Sequence, residues 1–266
     1  MAVTRVAIHG AGGRMGKRLI ALGSEDKDLQ LVAALEYAAH PQLGQDAGTV
    51  AGVAPLGLPL TAQADVPIDA LIDFSSPGGA GAAMELCYSR RIPLVMATTG
   101  LEPPQQTRLR EIALQIPVVW SPNMSSAVNL GFKLATVAAE ALKNHASGVD
   151  VEILERHHRF KEDAPSGTAL KFGQLIGDVL GIDRQVHGRH GATGARTRNE
   201  IGYHAIRTGD NPGEHTIVFG MLGETIEVTV RASNRDCYAL GALSAAKFVA
   251  GKPAGLYTMF DVLGLD

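Results

Sequence analysis

VTRVAIHGAGGRMGKRLIALG, residues Val3–Gly23, is the stretch that decides the fold. Its apolar run condenses into Val6-Ala7-Ile8 and reads as a buried strand over Val3–His9. The cluster Gly10–Gly16 reads as a tight turn, and Lys17–Gly23 as a helix. A glycine cluster between a strand and a helix is the context a dinucleotide fingerprint requires. Glycines let the turn tighten and let pyrophosphate oxygens approach the N–H groups at the helix start. The spacing here is GxxGxxG, with Met15 where the commoner GxGxxG pattern wants its last glycine. Gly10, Ala11, Gly12, Gly13, Arg14, Met15 and Gly16 are therefore candidate cofactor-binding residues. A glycine-rich turn alone is a weak signal, because any tight strand-to-helix turn can demand φ > 0. Glu36 strengthens it: it closes a second strand, Leu29–Leu35, at the place where an acid takes ribose hydroxyls.

Outward from this unit the same rhythm repeats. Ala70–Phe74 is an apolar strand followed by Ser75-Ser76-Pro77 and the small-residue helix Ala80–Ser89. Pro93–Ala97 is a strand that stops at Thr98-Thr99-Gly100, and a helix over Pro104–Gln115 leads to the strand Pro117–Trp120. Short apolar strands alternating with helices imply βαβ units and a parallel sheet covered on both faces. After about Ser125 the rhythm changes. A long helix over Ala127–Asn144 leads into the strand Val149–Leu154, and a helix over Thr168–Leu180 precedes a Gly/His/Arg-rich stretch, Gly181–Asn199, read as a mobile surface loop. Ile201–Arg207, His215–Phe219 and Thr225–Ala232 alternate as strands with one exposed face would. The last helix, Ala239–Ala250, resembles those of the first half and is expected to pack back there. The expected fold class is α/β: a Rossmann-like parallel-sheet dinucleotide domain formed by residues 1–125 and 236–266, plus an α+β domain with a mixed sheet over residues 126–235.

Composition narrows the class. The 266 residues are 45% hydrophobic and carry a net charge of −3, which offers no global basic field for nucleic acid or a membrane surface. Two cysteines, Cys87 and Cys237, are too few for a disulfide framework and fit a reducing compartment. The N-terminal residues run straight into a strand with no charged-then-apolar export signal. No apolar run approaches the roughly 18–20 residues a bilayer span needs. A soluble cytoplasmic protein is expected.

The chemistry concentrates in ERHHRFKEDAPSGTA, Glu155–Ala169. His157 and His158 supply imidazoles, which titrate near physiological pH in their unperturbed form. Lys161 supplies a cation and a possible proton donor. Ser166-Gly167-Thr168 opens a helix, whose N–H groups attract carboxylates and phosphates. A His-His pair by itself is more often structural than catalytic, and basic loop residues are usually solvated. Acid–base groups beside an anion cradle suit proton delivery to an anionic substrate. Adjacent side chains on a strand point to opposite faces, so the His pair is a poor start for a metal site, and no metal is expected.

The string Glu, one residue, His-His, two residues, Lys, then Asp-Ala-Pro-Ser-Gly-Thr-Ala closely resembles the signature of the 4-hydroxy-tetrahydrodipicolinate reductase (dihydrodipicolinate reductase) family. These are pyridine-nucleotide enzymes of lysine (diaminopimelate) biosynthesis. The loop with Gly-Arg-Met-Gly is also found in that family, and the resemblance covers essentially the whole chain. It implies NAD(P)H-dependent reduction of a cyclic imine dicarboxylate, made from 4-hydroxy-tetrahydrodipicolinate by loss of water, to tetrahydrodipicolinate. By resemblance His157 is the acid/base and Lys161 the proton donor, while His158, Gly167 and Thr168 contact substrate. Ala97, Thr98 and Thr99 match a Gly-Thr-Thr-Gly segment beside the nicotinamide ribose, with Ala97 departing from the usual glycine. Ser121, Pro122, Asn123 and Met124 match a segment that borders the nicotinamide at a hinge between domains. Relatives are homotetramers joined through the second domain, so the same assembly is expected.

Many relatives carry an arginine directly after the acidic residue, able to pair with the 2′-phosphate of NADPH. Tyr37 stands there in this chain, followed by His40 as the next basic-capable side chain. The carboxylate of Glu36 repels a 2′-phosphate, so NADH is expected to be preferred over NADPH. Arg14 and Lys17 are the remaining candidates for a phosphate contact, and Arg235 for a substrate carboxylate. Two other readings compete: an aspartate-type dehydrogenase sharing only the first domain, and a catalytically silent dinucleotide-binding regulator. The His-His-Lys-Ser-Gly-Thr string argues against the first, and the retention of His157 and Lys161 against the second.

Overall fold

Val6, Ala7 and Ile8 are fully buried because the first strand runs through the middle of a sheet covered on both faces. The computed structural model describes residues 3–265. Its elements begin with β1 (Thr4–His9), α1 (Arg14–Glu25), β2 (Leu29–Leu35), α2 (Ala47–Ala51) and β3 (Leu60–Thr61). There follow β4 (Ala70–Asp73), α3 (Pro77–Arg90), β5 (Leu94–Met96), α4 (Pro103–Ala113) and β6 (Pro117–Trp120). The middle of the chain forms α5 (Ser126–Leu142), β7 (Asp150–His157), α6 (Gly167–Leu180), β8 (Gln185–His187), β9 (Ile201–Arg207), β10 (Glu214–Met221) and β11 (Glu224–Arg231). The last elements are α7 (Asp236–Val249), β12 (Gly255–Tyr257) and α8 (Met259–Leu263). The chain divides into two units, Met1–Ser126 with Arg235–Asp266, and Ala127–Asn234.

The sheet of the first unit is parallel throughout, in the order β12-β6-β5-β4-β1-β2-β3. Apart from the edge strand β12, this is the doubly wound order of dinucleotide-binding folds, in which the crevice lies where the order reverses, at the carboxyl ends of β1 and β4. Side chains alternate between two cores. Val6, Ile8, Ile72, Val95 and Val119 face one core with Leu19, Ala242 and Leu243 of α1 and α7. Ala7, Leu71, Leu94 and Val118 face the other with Met84 and Leu109 of α3 and α4. Burial on both sides explains why these strands read as short continuous apolar runs. Two ion pairs tie α7 to the α1 region: Arg18 grips Asp236 with two nitrogens at 2.6 and 2.9 Å, and Lys247 reaches Asp26 at 2.7 Å.

The sheet of the second unit is mixed, in the order β11-β10-β7-β9-β8. β10 runs antiparallel to both neighbours, while β7, β9 and β8 are parallel. On its covered face Val151, Ile153, Tyr203, Ile217 and Phe219 are buried, as are Phe172 and Ile176 of α6. The rings of Phe132 on α5 and Phe172 lie 4.4 Å apart.

Several boundaries differ from the sequence expectation. α1 begins at Arg14 rather than Lys17, because Gly13 already takes the N-cap position. β7 extends three residues past Leu154, so His157 lies on the strand itself. The stretch Gly181–Asn199, expected as a surface loop, is largely exposed but contains the edge strand β8, and its arginines form ion pairs with neighbouring strands. Arg189 bridges Glu152 at 2.7 and 3.0 Å and Glu200 at 2.8 Å, while Arg196 reaches Glu152 at 3.0 Å and Asp150 at 2.7 Å. Its composition reads as loop, but carboxylates on neighbouring strands give its arginines partners. α2, β3, β12 and α8 are too short to leave a periodic signal.

Candidate active site

In the first unit the glycine turn fills the point where the strand order reverses. Gly10 has φ +80, and a Cβ there would lie 2.8 Å from the Ser75 Cα, so backbone meets backbone between β1 and β4. Gly16 faces the loop it follows: a Cβ would sit 2.7 Å from the Ala11 Cα. The close-packing glycine thus comes one residue later than in GxGxxG, and Met15 itself packs against the core of the first unit. The N–H groups of Gly10 and Ala11 both donate to the Leu35 carbonyl, at 3.0 and 3.1 Å, fastening the turn to β2. Gly12 N–H donates to Glu36 Oε1 at 2.8 Å, so the acid is held beside the turn, and its other lone pairs can still accept hydroxyl donors. α1 has no side-chain cap. Its first N–H groups lack intrahelical partners, which fits the binding of a pyrophosphate. Arg14 is exposed and Lys17 half-buried. Tyr37 is 61% exposed, its ring edge-on to His40 at 5.3 Å.

A polar cluster at the same strand ends escaped the sequence reading. Asp73 is fully buried at the end of β4. It pairs with His9 Nδ1 at 2.6 Å and accepts from Ser75 Oγ and Thr98 Oγ1, each at 2.7 Å. Thr98 also accepts from the Ser75 N–H at 3.0 Å. The signal was an acid ending an otherwise apolar strand. Ala97 and Thr98 are buried, whereas Thr99 is exposed. In the segment after β6, Ser121 Oγ donates to the Asn123 carbonyl at 2.7 Å, and Asn123 Oδ1 accepts from Ser125 N–H at 2.9 Å. Met124 is buried and Pro122 exposed. Arg235, expected at a strand end, occupies the N-cap position of α7 and is exposed.

In the second unit the covered face of β7 carries Val151, Ile153, Glu155 and His157 in alternation, so its last two inward positions are polar. His157 Nδ1 lies 2.5 Å from Glu155 Oε2. Arg207, at the end of β9 and in register with His157, grips Glu155 with two nitrogens at 2.8 and 2.7 Å. Burial pushes the Glu155 carboxyl up, but the hydrogen bonds from His157 and Arg207 outweigh it and bring it down to about 2. The Ser166 N–H donates to Glu155 Oε1 at 3.1 Å, which brings the start of α6 to this carboxylate. Ser166 Oγ caps α6 by accepting from Ala169 N–H at 3.2 Å, and it meets His215 Nε2 at 3.1 Å. The ring of His215 stands 5.2 Å from that of His157. Burial, then the positive charge of His157, pushes His215 down to about 4, so it is neutral at physiological pH.

The structure therefore joins His157 to the N-terminus of α6, where Gly167 is exposed and Thr168 half-buried. Lys161 Nζ contacts Asp163 at 2.7 Å, and the Asp163 carbonyl accepts from Arg207 at 2.6 Å, so one arginine organises both halves of the string. His158 is half-buried, and its Nδ1 finds no hydrogen-bond partner among the described residues. Arg207 and His215 were missed as site residues. Their signal was a titratable side chain at an inward position of an alternating strand. Among the described residues, no cluster of three or more His, Cys, Asp or Glu is placed to hold a metal, and no helix is long and apolar enough to cross a membrane.

Comparison with known proteins agrees over the full length. Residues 4–124 match the family model described as dihydrodipicolinate reductase, N-terminus, and residues 127–263 the one described as dihydrodipicolinate reductase, C-terminus. A protein of Rhodopirellula baltica named 4-hydroxy-tetrahydrodipicolinate reductase is 59% identical, covering 98% of this chain and 96% of the relative. One of the same name from Syntrophotalea carbinolica is 47% identical, covering 98% and 99%. The solved structure of a dipicolinate-bound dihydrodipicolinate reductase from Paenisporosarcina superposes with a TM-score of 0.78 at 25% identity, covering 97% of this chain and 98% of that one. An amine dehydrogenase from Mycobacterium smegmatis shares the fold alone, with a TM-score of 0.62 at 14% identity. With both family models matched and nearly the whole chain aligned to relatives at this level of identity, the chain belongs to the dihydrodipicolinate reductase family.

Proposed function

We propose that this chain is a 4-hydroxy-tetrahydrodipicolinate reductase, reducing the cyclic imine dicarboxylate to tetrahydrodipicolinate in lysine biosynthesis. The observation that carries the reading is the hydrogen-bonded string from His157 through Glu155 to the start of α6, which places a proton-handling imidazole beside an anion-binding helix terminus. When bound, the reduced nicotinamide supplies the hydride. The residues of the string account for the rest. Gly167 and Thr168 hold a substrate carboxylate with the N–H groups and hydroxyl of the first turn, and His158 and Lys161 offset the second negative charge. The ring of His157, with Lys161, delivers the proton that must follow the hydride onto the carbanion-like product.

The glycine turn, the uncapped α1 terminus and Glu36 suit a dinucleotide: pyrophosphate at Gly12 to Gly16 and ribose hydroxyls at Glu36. Thr98, Thr99 and the segment Ser121–Met124 serve the nicotinamide end, with residues 1–125 and 236–266 as the dinucleotide domain and 126–235 as the substrate and assembly domain. Glu36 followed by an exposed Tyr37 favours NADH over NADPH. A homotetramer working in the cytoplasm completes the reading. The exposed strand β11, with Ile226 45% exposed, and the turn before it, with Leu222 84% exposed, form the face such an assembly would cover. The purified chain is expected to oxidise NADH only when freshly generated substrate is added. Failure to do so with either cofactor would overturn the assignment.

A further inference from the structure

We propose that Glu155, locked in place by Arg207, is a positioning residue: it fixes His157 with its proton on Nδ1, leaves Nε2 as the atom that exchanges a proton with substrate, and ties that ring to the carboxylate-binding start of α6. The inference deepens the function proposed above and rests on it.

Four donors converge on this carboxylate. Oε2 accepts from His157 Nδ1 at 2.5 Å and Arg207 at 2.8 Å; Oε1 accepts from Arg207 at 2.7 Å and Ser166 N–H at 3.1 Å. An ionised carboxylate only accepts, and these bonds occupy about the four sites it has. His157 must therefore donate from Nδ1, and a neutral His157 can carry no proton on Nε2. The Glu155 side chain is 1% exposed, so water cannot replace any of the four donors. Without Arg207 the buried charge would be unpaired and costly. With it, the carboxylate stays ionised and cannot rotate.

The other groups around His157 do not compete for Nδ1. His215, opposite Glu155 on β10, is neutral and bonded to Ser166 Oγ. Lys161 is paired with Asp163, whose carbonyl is held by the same Arg207. One arginine thus sets the tautomer of the imidazole, the position of the lysine loop and, through Glu155, the Ser166 N–H. The arrangement parallels a histidine oriented by a buried carboxylate in hydrolytic triads, where loss of the carboxylate's charge upsets the tautomer rather than the fold.

The test has two arms. Nitrogen-15 NMR of the intact protein, titrated through neutral pH, should show neutral His157 protonated at Nδ1 and bare at Nε2. A predominantly Nε2-protonated ring would overturn the proposal, whatever the activity. In the second arm, Glu155→Gln should lower kcat by roughly ten- to a hundredfold, within the range that general acid–base groups contribute. It should also move the limb of the kcat/KM pH profile that reports the imidazolium to lower pH, because the stabilising negative charge is gone. NADH affinity should stay within about twofold, and an unchanged circular-dichroism spectrum and unfolding midpoint serve as the check that the variant is folded. Arg207→Lys, which keeps the charge but not the fork, should lose less and move the profile less. It serves as the kinetic arm if Glu155→Gln does not fold. Wild-type kcat and an unmoved pH profile in the folded variants would refute the positioning role. Absence of reductase activity in the unmodified protein would instead retract the function and leave the tautomer measurement to decide this inference.

Discussion

Replacing Tyr37 with arginine should shift cofactor preference towards NADPH by about tenfold. The side chain follows directly on Glu36, whose carboxylate is already fastened to the turn by the Gly12 N–H at 2.8 Å and cannot swing away from a 2′-phosphate. A charge-assisted hydrogen bond to phosphate contributes roughly 1.5–3 kcal/mol, whereas exposed ion pairs commonly yield only about 0.2–1 kcal/mol. Tyr37 is 61% exposed, which places the expected gain between those two ranges. About 1.4 kcal/mol corresponds to tenfold. The substitution also removes the edge-on contact with His40 at 5.3 Å, but that loss acts on both cofactors and cancels in the ratio. The assay is a pair of binding titrations, NADH and NADPH, on each protein at one ionic strength. Raising the salt should shrink the shift, since an exposed contact is screened. If the unmodified protein binds NADPH more tightly, or the variant's ratio does not move, the phosphate is held elsewhere, with Arg14 or Lys17 the first residues to test.

His157→Gln and Lys161→Met should each lose roughly a hundredfold or more in kcat, while Thr168→Val should mainly raise KM; steady-state kinetics beside NADH titrations check both, and full turnover in His157→Gln would remove it from the mechanism. Stability should fall on acidification in two stages that unfolding midpoints across pH can resolve. His215, pushed down to about 4, favours folding above its ordinary value of 6.5, and that contribution is lost as pH drops from there through 4. Glu152 and Glu155, each held at about 2, favour folding above their ordinary 4.5 and lose that contribution as pH falls towards 2. His215→Gln should flatten the first stage only, and an unchanged slope there would show that His215 is not the group responsible. Light scattering at micromolar concentration should report a tetramer, and a species of only 27.9 kDa would count against that assembly.

The sequence alone was enough for the parallel sheet and the identity of the chemistry, for local reasons. Strands buried on both faces must be short apolar runs, and Gly10 to Gly16 sit between one such run and a helix because only that turn lets backbone meet backbone. The Glu155–Ala169 string was legible because its imidazoles, cation and helix start lie within a dozen or so positions of one another. What only the tertiary structure decided depends on residues far apart in the chain. Arg207 reaches Glu155 across 52 positions and His215 reaches Ser166 across 49, and no local pattern announces either pairing. The cluster around Asp73 forms because three strand ends and their loops meet where the order of the sheet reverses, which a linear reading of Ala70–Asp73 cannot display. The stretch Gly181–Asn199 looked mobile because glycine, histidine and arginine carry no apolar period. The structure shows its arginines paired with the carboxylates of Asp150, Glu152 and Glu200, supplied by β7 and by the residue before β9. Periodicity records which face of an element is buried; which charges meet on that face is set by strand register, a property of the assembled sheet.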